Sequence, residues 1–339
     1  MVHILRTYML KGNFIIKNME RICLSFIAAI VTISLYAQPV PNVEENIPHL
    51  MTFGNAADES WGDDDFSQAF FFLIPKDFKQ QVFIRIYDPD TGGDIDEIAG
   101  AWNTKCSYEV FGGKSCWSDV DARETSPIGN YKSGVLLGTK IFGENPRYDK
   151  NWYTFGPFDP AQGEFVEMFD GYVFKIICEG IAGDDGNMYN YFISTSGTEN
   201  IPIEGANAFA YEYSFRMHND PYEVSHIYPY IDEATISVKI SNFDWDSDGD
   251  IIVVSVARQG QKVPVSGEDK WAQDELKVLD EEHKTSWDFQ FVKSKQPLVK
   301  NNNVVVNVRN QYDETMPFYT SPIGGVPKYK YSTVVEPVD

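Results

Sequence analysis

The 339-residue chain carries 28 Lys and Arg against 50 Asp and Glu, a formal net charge of −22, with 43% hydrophobic and 14% aromatic residues and only 4 Cys. So acidic a chain repels nucleic acid rather than gathering its phosphates, and an apolar fraction of that size builds a buried core instead of a disordered tail. At this length two domains are the default.

The first element in chain order is the uncharged run Ile22–Tyr36, preceded by Arg21 and followed by Ala37-Gln38-Pro39. It is expected to be the apolar centre of an export signal peptide spanning residues 1–37, cleaved after Ala37. The run is shorter than the ~20 apolar residues a spanning helix needs, so no transmembrane span is expected in the mature chain. Cys23 opens the run instead of following it, so no lipid-modified N-terminal cysteine is expected either. Cleavage removes four positive charges (Arg6, Lys11, Lys17, Arg21) and one negative (Glu20), which moves the formal charge from −22 to −25. Residues 38–47, with Pro39, Pro41, Glu44 and Glu45, read as an extended leader.

Beyond the leader, apolar residues recur with period 2. Val82, Ile84 and Ile86 alternate with Phe83, Arg85 and Tyr87. Tyr172, Phe174, Ile176 and Cys178 share one face, and Phe209, Tyr211, Tyr213, Phe215 and Met217 share another. The pattern breaks at His218-Asn219-Asp220-Pro221 and resumes at Ile236, Val238, Ile240 and at Val304, Val306, Val308. Many short strands separated by signals such as Gly92-Gly93, Gly112-Gly113 and Asp185-Gly186 indicate an all-β chain of two tandem β-sandwich domains. The first, 48–218, is expected to be jelly-roll or C2-like; the second, 221–335, immunoglobulin-like or C2-like. Glu268 to His283 is the exception. There Trp271, Leu276 and Leu279 set a weak amphipathic face, and a helix is expected.

Cys106, Cys116 and Cys178 remain after cleavage. Cys106 and Cys116 flank Gly112-Gly113, but a two-residue turn would set Glu109 opposite Cys116, so a Cys106–Cys116 disulfide requires a longer loop or a bulge. The spacing leaves the bridged and unbridged states open. Cys178 reads as a buried core thiol.

The sharpest chemical feature is Asp244-Trp245-Asp246-Ser247-Asp248-Gly249-Asp250-Ile251. Carboxylates at alternate positions converge on one cation when such a loop curls, and calcium, which takes 6 to 8 oxygens, suits them. These positions resemble the start of an EF-hand loop, but the twelfth position is Ser255 rather than Glu and the flanks read as strands. The expectation is therefore a strand-loop-strand Ca2+ site using Asp244, Asp246, Asp248 and Asp250. The first half repeats the chemistry in scattered form. Asp88, Asp90 and Asp94 leave one strand end and Asp184 and Asp185 another, and they can share a calcium if both loops lie at one end of the sandwich. Asp63-Asp64-Asp65 precede a further strand.

Catalytic patterns are weak. No Gly-x-Ser-x-Gly, His-Glu-x-x-His or phosphate-cradling loop occurs. Asp94-Ile95-Asp96-Glu97-Ile98 is similar to the strand motif of retaining jelly-roll glycosidases, but that motif needs two Glu, and Asp94 and Ala99 stand near their places. The Trp residues near loops keep a carbohydrate-binding module as an alternative, and open edge strands keep a subunit of an envelope complex as another.

The segments Gly183-Asp184-Asp185-Gly186-Asn187, Tyr108–Gly113 and Phe318–Pro322 resemble segments of uncharacterised exported β-sandwich proteins of Gram-negative envelopes, some of them fused to an outer-membrane-protein-A-like domain. No such domain is expected in the few residues after Val335. The resemblance implies a surface or envelope binding module with no catalytic residue, whose partner is an envelope protein or a glycan. The composite expectation is a secreted, non-enzymatic, calcium-binding protein of the cell surface or periplasm.

Overall fold

Alternating side chains and frequent turns give strands throughout the computed structural model, which describes residues 39–125, 130–294 and 299–324. The signal peptide expected at 1–37 and the stretch after Gly324 lie outside the described residues. The fold is all-β: 47% of the described residues lie in strands, and the helical residues among them form short 3-10 turns. None of the described helices is long and apolar enough to cross a membrane.

The strands form two large antiparallel sheets. The first runs, in spatial order, Trp271–Lys277, Ser237–Phe243, Asn303–Asn310, Glu212–Arg216, His49–Phe53, Gly186–Ser194, Val82–Tyr87 and Trp152–Phe158. The second runs Gln259–Val263, Gly249–Val254, Asp288–Lys293, Val224–Ile231, Phe318–Tyr319, Asn207–Ala210, Ser67–Pro75, Gly171–Ala182, Lys105–Gly112 and Val135–Phe142. The main core fills the space between the sheets. Phe70 and Phe72 of the second sheet meet Tyr191 and Tyr213 of the first edge-on, with ring centroids 5.3 to 6.1 Å apart. Such contacts add to the area the rings bury. A second cluster covers the other face of the second sheet, where Phe71, Val173, Ile177 and Phe209 pack under Trp117. Ser67–Pro75 is buried on both faces for this reason and reads as a continuous apolar run.

Each sheet passes through the break at His218. Glu212–Arg216 pairs with His49–Phe53 on one side and Asn303–Asn310 on the other. Phe318–Tyr319 likewise joins Asn207–Ala210 to Val224–Ile231. The two sandwiches thus lie edge to edge in common sheets, and the described residues all fall in one compact unit.

Two sequence expectations differ from the structure. Trp271–Lys277 is an edge strand, paired residue for residue with Ser237–Phe243 and followed by a 3-10 turn at Asp280–Glu282. The expected helix is absent because its apolar face was too sparse to outweigh a long backbone ladder. The run Phe209–Met217 is split. The chain changes sheets at Tyr211, so Phe209 and Tyr211 lie in the second cluster and Tyr213 and Phe215 in the main core. Residues 39–47, expected as an extended leader, are tied to the first half: Pro39–Val40 pairs with Gly186–Ser194, and Glu45 is fully buried, accepting from the Tyr213 hydroxyl at 2.8 Å and the Asn42 amide at 2.6 Å.

Candidate metal centres

The loop between Ser237–Phe243 and Gly249–Val254 curls as its Asp spacing requires. Asp244, Asp246 and Ser247 hold φ of 56°, 60° and 55°, a left-handed region that Asp tolerates better than most residues. The curl lets the Trp245 amide donate to Ser266 Oγ at 2.9 Å and the Ser247 amide to the Ser266 carbonyl at 2.8 Å. Gly249 is needed for close approach, since a Cβ there would lie 2.1 Å from the Val292 carbonyl oxygen, and Ile251 tucks into the core. Asp244 is 2% exposed and accepts from the Asp269 amide at 2.7 Å. Burial first, then the charges of Asp246, Asp269 and Glu268, push its carboxyl up to about 7. Burial, with Glu268 and Asp248, raises Asp246 too. The other two Asp residues face ammonium groups. Asp248 Oδ2 lies 3.3 Å from Lys293 Nζ, both side chains being buried. Asp250 pairs with Lys262 at 2.6 Å on the surface. The charges of Asp246 and Glu268 thus reach Asp244, and those of Glu268 and Asp248 reach Asp246, but among the described residues these oxygens do not all lie within 4.8 Å of one another, and Asp248 faces Lys293.

In the first half, Asp88 ends the strand Val82–Tyr87 with a φ of 52° and no exposed surface. Neither of its oxygens meets a described donor at hydrogen-bond geometry. Burial pushes its carboxyl up to about 7 and the charges of Asp90 and Asp149 add to the shift, while the nearby Lys150 amide and ammonium offset part of it. Asp90 is 1% exposed, its Oδ2 accepting from the Asn145 amide at 3.0 Å and its Oδ1 unpartnered. Burial brings it to about 6. Asp149, from the loop joining Val135–Phe142 to Trp152–Phe158, was not singled out in the sequence; only the fold brings it here.

Asp94 and Asp185, at the same end, have other partners. Asp94 is exposed and pairs with Lys150 at 2.6 Å. Asp185 is fully buried with both oxygens engaged: Oδ1 accepts from the Ala99 amide and Oδ2 from those of Asn103 and Thr104, at 2.8 to 3.0 Å. It organises the 97–104 loop. The Asp184 amide donates to Asn103 Oδ1 at 3.2 Å, while its own Oδ1 is buried without a hydrogen-bond partner among the described residues. The two loops do share one end, through the bridge between Glu97 and Gly186. Glu97 forms an ion pair with Arg216, so both Asp94 and Glu97 of the glycosidase-like segment are engaged by cationic side chains.

Asp63, Asp64 and Asp65 bring carboxylate oxygens within 4.8 Å of one another. Asp63 Oδ2 accepts from the Phe53 amide and Oδ1 from the Phe66 amide, both at 2.8 Å, and Asp65 accepts from the Ser67 amide at 3.0 Å. This knot shapes the turn into Ser67–Pro75. Burial, with Asp65 beside it, raises Asp64 to about 7.

Cys106 sits in the main core and Cys116 in the second cluster, and Cys106, Cys116 and Cys178 are all buried free thiols. Trp245 and Trp287 are buried, while Trp271 is 40% exposed. The chain matches no known protein family, and no curated protein matches it significantly.

Proposed function

We propose that this chain is an exported, calcium-binding β-sandwich protein of the cell surface or periplasm, in which the metal rigidifies loops at strand ends. Its role is adhesion, envelope assembly or ligand presentation to an envelope protein or glycan, without catalysis. The observation that carries the reading is the curled loop that holds buried Asp244 and half-buried Asp246 beside Glu268. Gathered like charges repel, and a divalent cation removes that cost. An all-oxygen, carboxylate-rich donor set fits calcium, and at extracellular concentrations an affinity of about 10⁻⁴ to 10⁻³ M suffices. The apolar run after Arg21 supports export.

A thermal melt of the mature protein in chelator and then in millimolar calcium tests the reading. The midpoint is expected to rise with calcium, and Asp244→Asn with Asp246→Asn is expected to remove part of that rise. Equal midpoints in chelator and calcium would show the reading to be wrong.

A further inference from the structure

We infer that Asp63, Asp64 and Asp65 form a calcium site at the turn into Ser67–Pro75, separate from the Asp244 loop and not resting on it. Each residue offers one carboxylate oxygen, and the three oxygens lie within 4.8 Å of one another. Calcium holds its ligands at about 2.3–2.6 Å, so oxygens on opposite sides of one ion stand roughly 4.6–5.2 Å apart. The three therefore fit around a single ion.

Two further observations point to a ligand there. Asp64 Oδ1 is a buried atom with no hydrogen-bond partner among the described residues. Ser67 is 3% exposed, and its hydroxyl turns toward Asp65 without completing a hydrogen bond of good geometry. Burying an oxygen without a partner is costly, and carboxylate and hydroxyl oxygens are the hard donors that calcium takes. Asp63 and Asp65 do serve backbone amides, those of Phe53 and Phe66 for the first and of Ser67 for the second. A carboxylate has about four acceptor sites, so these bonds fix the two side chains and still leave lone pairs for an ion.

The surroundings add negative charge and no counter-ion. Glu212, on the strand Glu212–Arg216, feels the charges of Asp65, Asp64 and Asp63, and its Oε1 accepts from Thr125 Oγ1 at 3.2 Å. Among the described residues the cations of this face are committed elsewhere: Lys132 pairs with Glu109 and Glu179, and Arg309 with Glu124. Asp248, by contrast, has Lys293. An all-oxygen set selects calcium or magnesium over zinc, and side chains already held by amides suit calcium's variable coordination better than magnesium's octahedron. An ion here would pin the turn that carries the chain from His49–Phe53 of the first sheet to Ser67–Pro75 of the second.

The test compares two mature chains: a parent carrying Asp244→Asn and Asp246→Asn, and the same parent with Asp64→Asn and Asp65→Asn added. Asparagine keeps an acceptor for the Ser67 amide while removing the charge. Calorimetric titration of the parent with calcium chloride is expected to show one bound ion, with magnesium chloride competing weakly, and the melting midpoint is expected to rise with calcium. The added substitutions should weaken that binding about tenfold or more and abolish the rise. In chelator at pH 8 the substituted chain should melt no lower than its parent, because the repulsion is gone, and in calcium it should melt below it. A purely structural role for the turn gives no such crossing. If the pair does not fold, Asp64→Asn alone takes its place, since Asp64 Oδ1 has no partner to lose. The inference is overturned if the parent binds no calcium at millimolar concentration, or if the substituted chain binds it as tightly as the parent. The Asp244 reading fails separately, if the wild-type chain binds no more calcium than the parent.

Discussion

Lys293 decides what the Asp244 loop offers to a cation. Its buried ammonium faces Asp248 at 3.3 Å and also donates to the Val299 carbonyl. Burial holds its proton affinity below the ordinary lysine value. Removing one member of a buried ion pair costs about 3–5 kcal/mol, because the other is left uncompensated. Lys293→Met is therefore expected to lose about that much stability in chelator, measured by urea unfolding, and Asp248→Asn is expected to restore much of it. The same Lys293→Met chain should bind calcium more tightly than wild type, since Asp248 becomes free to join Asp244 and Asp246. Unchanged affinity would place Asp248 out of reach of the ion. Asp64 governs a separate effect. Its carboxyl is raised from 3.8 to about 7 by burial and by Asp65, and Asp63 and Glu212 beside it shift the same way. A folded-state value above the unfolded one means stability that is complete below 3.8 and lost as pH rises through about 7. The chelated protein should thus melt at a higher temperature at pH 5 than at pH 8, and Asp64→Asn should shrink the difference. A midpoint that climbs from pH 5 to pH 8 would remove the knot as its source.

Among the elements, Gly171–Ala182 shows how closely the two sheets meet at the loop end. A Cβ at Gly180 would stand 1.9 Å from the Phe53 carbonyl oxygen of the opposing sheet, so backbone touches backbone there. Gly180→Ala is expected to cost roughly 1–3 kcal/mol by forcing that contact apart, and a chemical-denaturation midpoint equal to wild type would contradict it. Where one face is buried and the other wet, the sequence reveals the strand: Val238 and Ile240 point inward as their alternation with Ser237 and Lys239 implies. Legibility fails where tertiary pairing overrides a local pattern. Tyr211 hides a change of sheet because Phe209 and Tyr213 are both buried, on faces that period 2 cannot tell apart. Trp271–Lys277 hides as a helix because an edge strand that buries little leaves polar residues without a clear period. The same limit applies to the site. Asp88 and Asp90 were visible as Asp at a strand end, whereas Asp149 lies far along the chain, and only the bond pattern of the 143–151 loop brings it alongside. Asp185 looked like a ligand and instead spends both oxygens on backbone amides.

At the scale of the whole molecule, the decisive property is that neither sandwich owns its sheets. Arg216, before the His218 break, pairs with Glu97 and donates to Asn303 Oδ1 at 2.7 Å. Asn303 donates in turn to the Trp61 carbonyl at 2.7 Å. Arg309 reaches back to Glu124 at 3.1 Å, and the His226 amide donates to the Glu45 carbonyl at 2.7 Å. Cutting the chain at the break would strip Asn303–Asn310 of Glu212–Arg216 and Phe318–Tyr319 of Asn207–Ala210, exposing two strand edges and the core beneath them. Independent domains joined by a linker melt separately, whereas elements sharing one core and one set of ladders melt together. The mature protein is accordingly expected to unfold in a single calorimetric transition whose van't Hoff and calorimetric enthalpies agree. Residues 221–335 expressed alone are expected to give a collapsed, poorly dispersed NMR spectrum. Two resolved transitions, or a well-dispersed spectrum from that fragment, would show that the ladders across the break contribute little and that the halves fold independently. Because the ladders cross the break, a single transition also implies that an ion held at the Asp244 loop would raise the midpoint of the whole protein and not of one half alone.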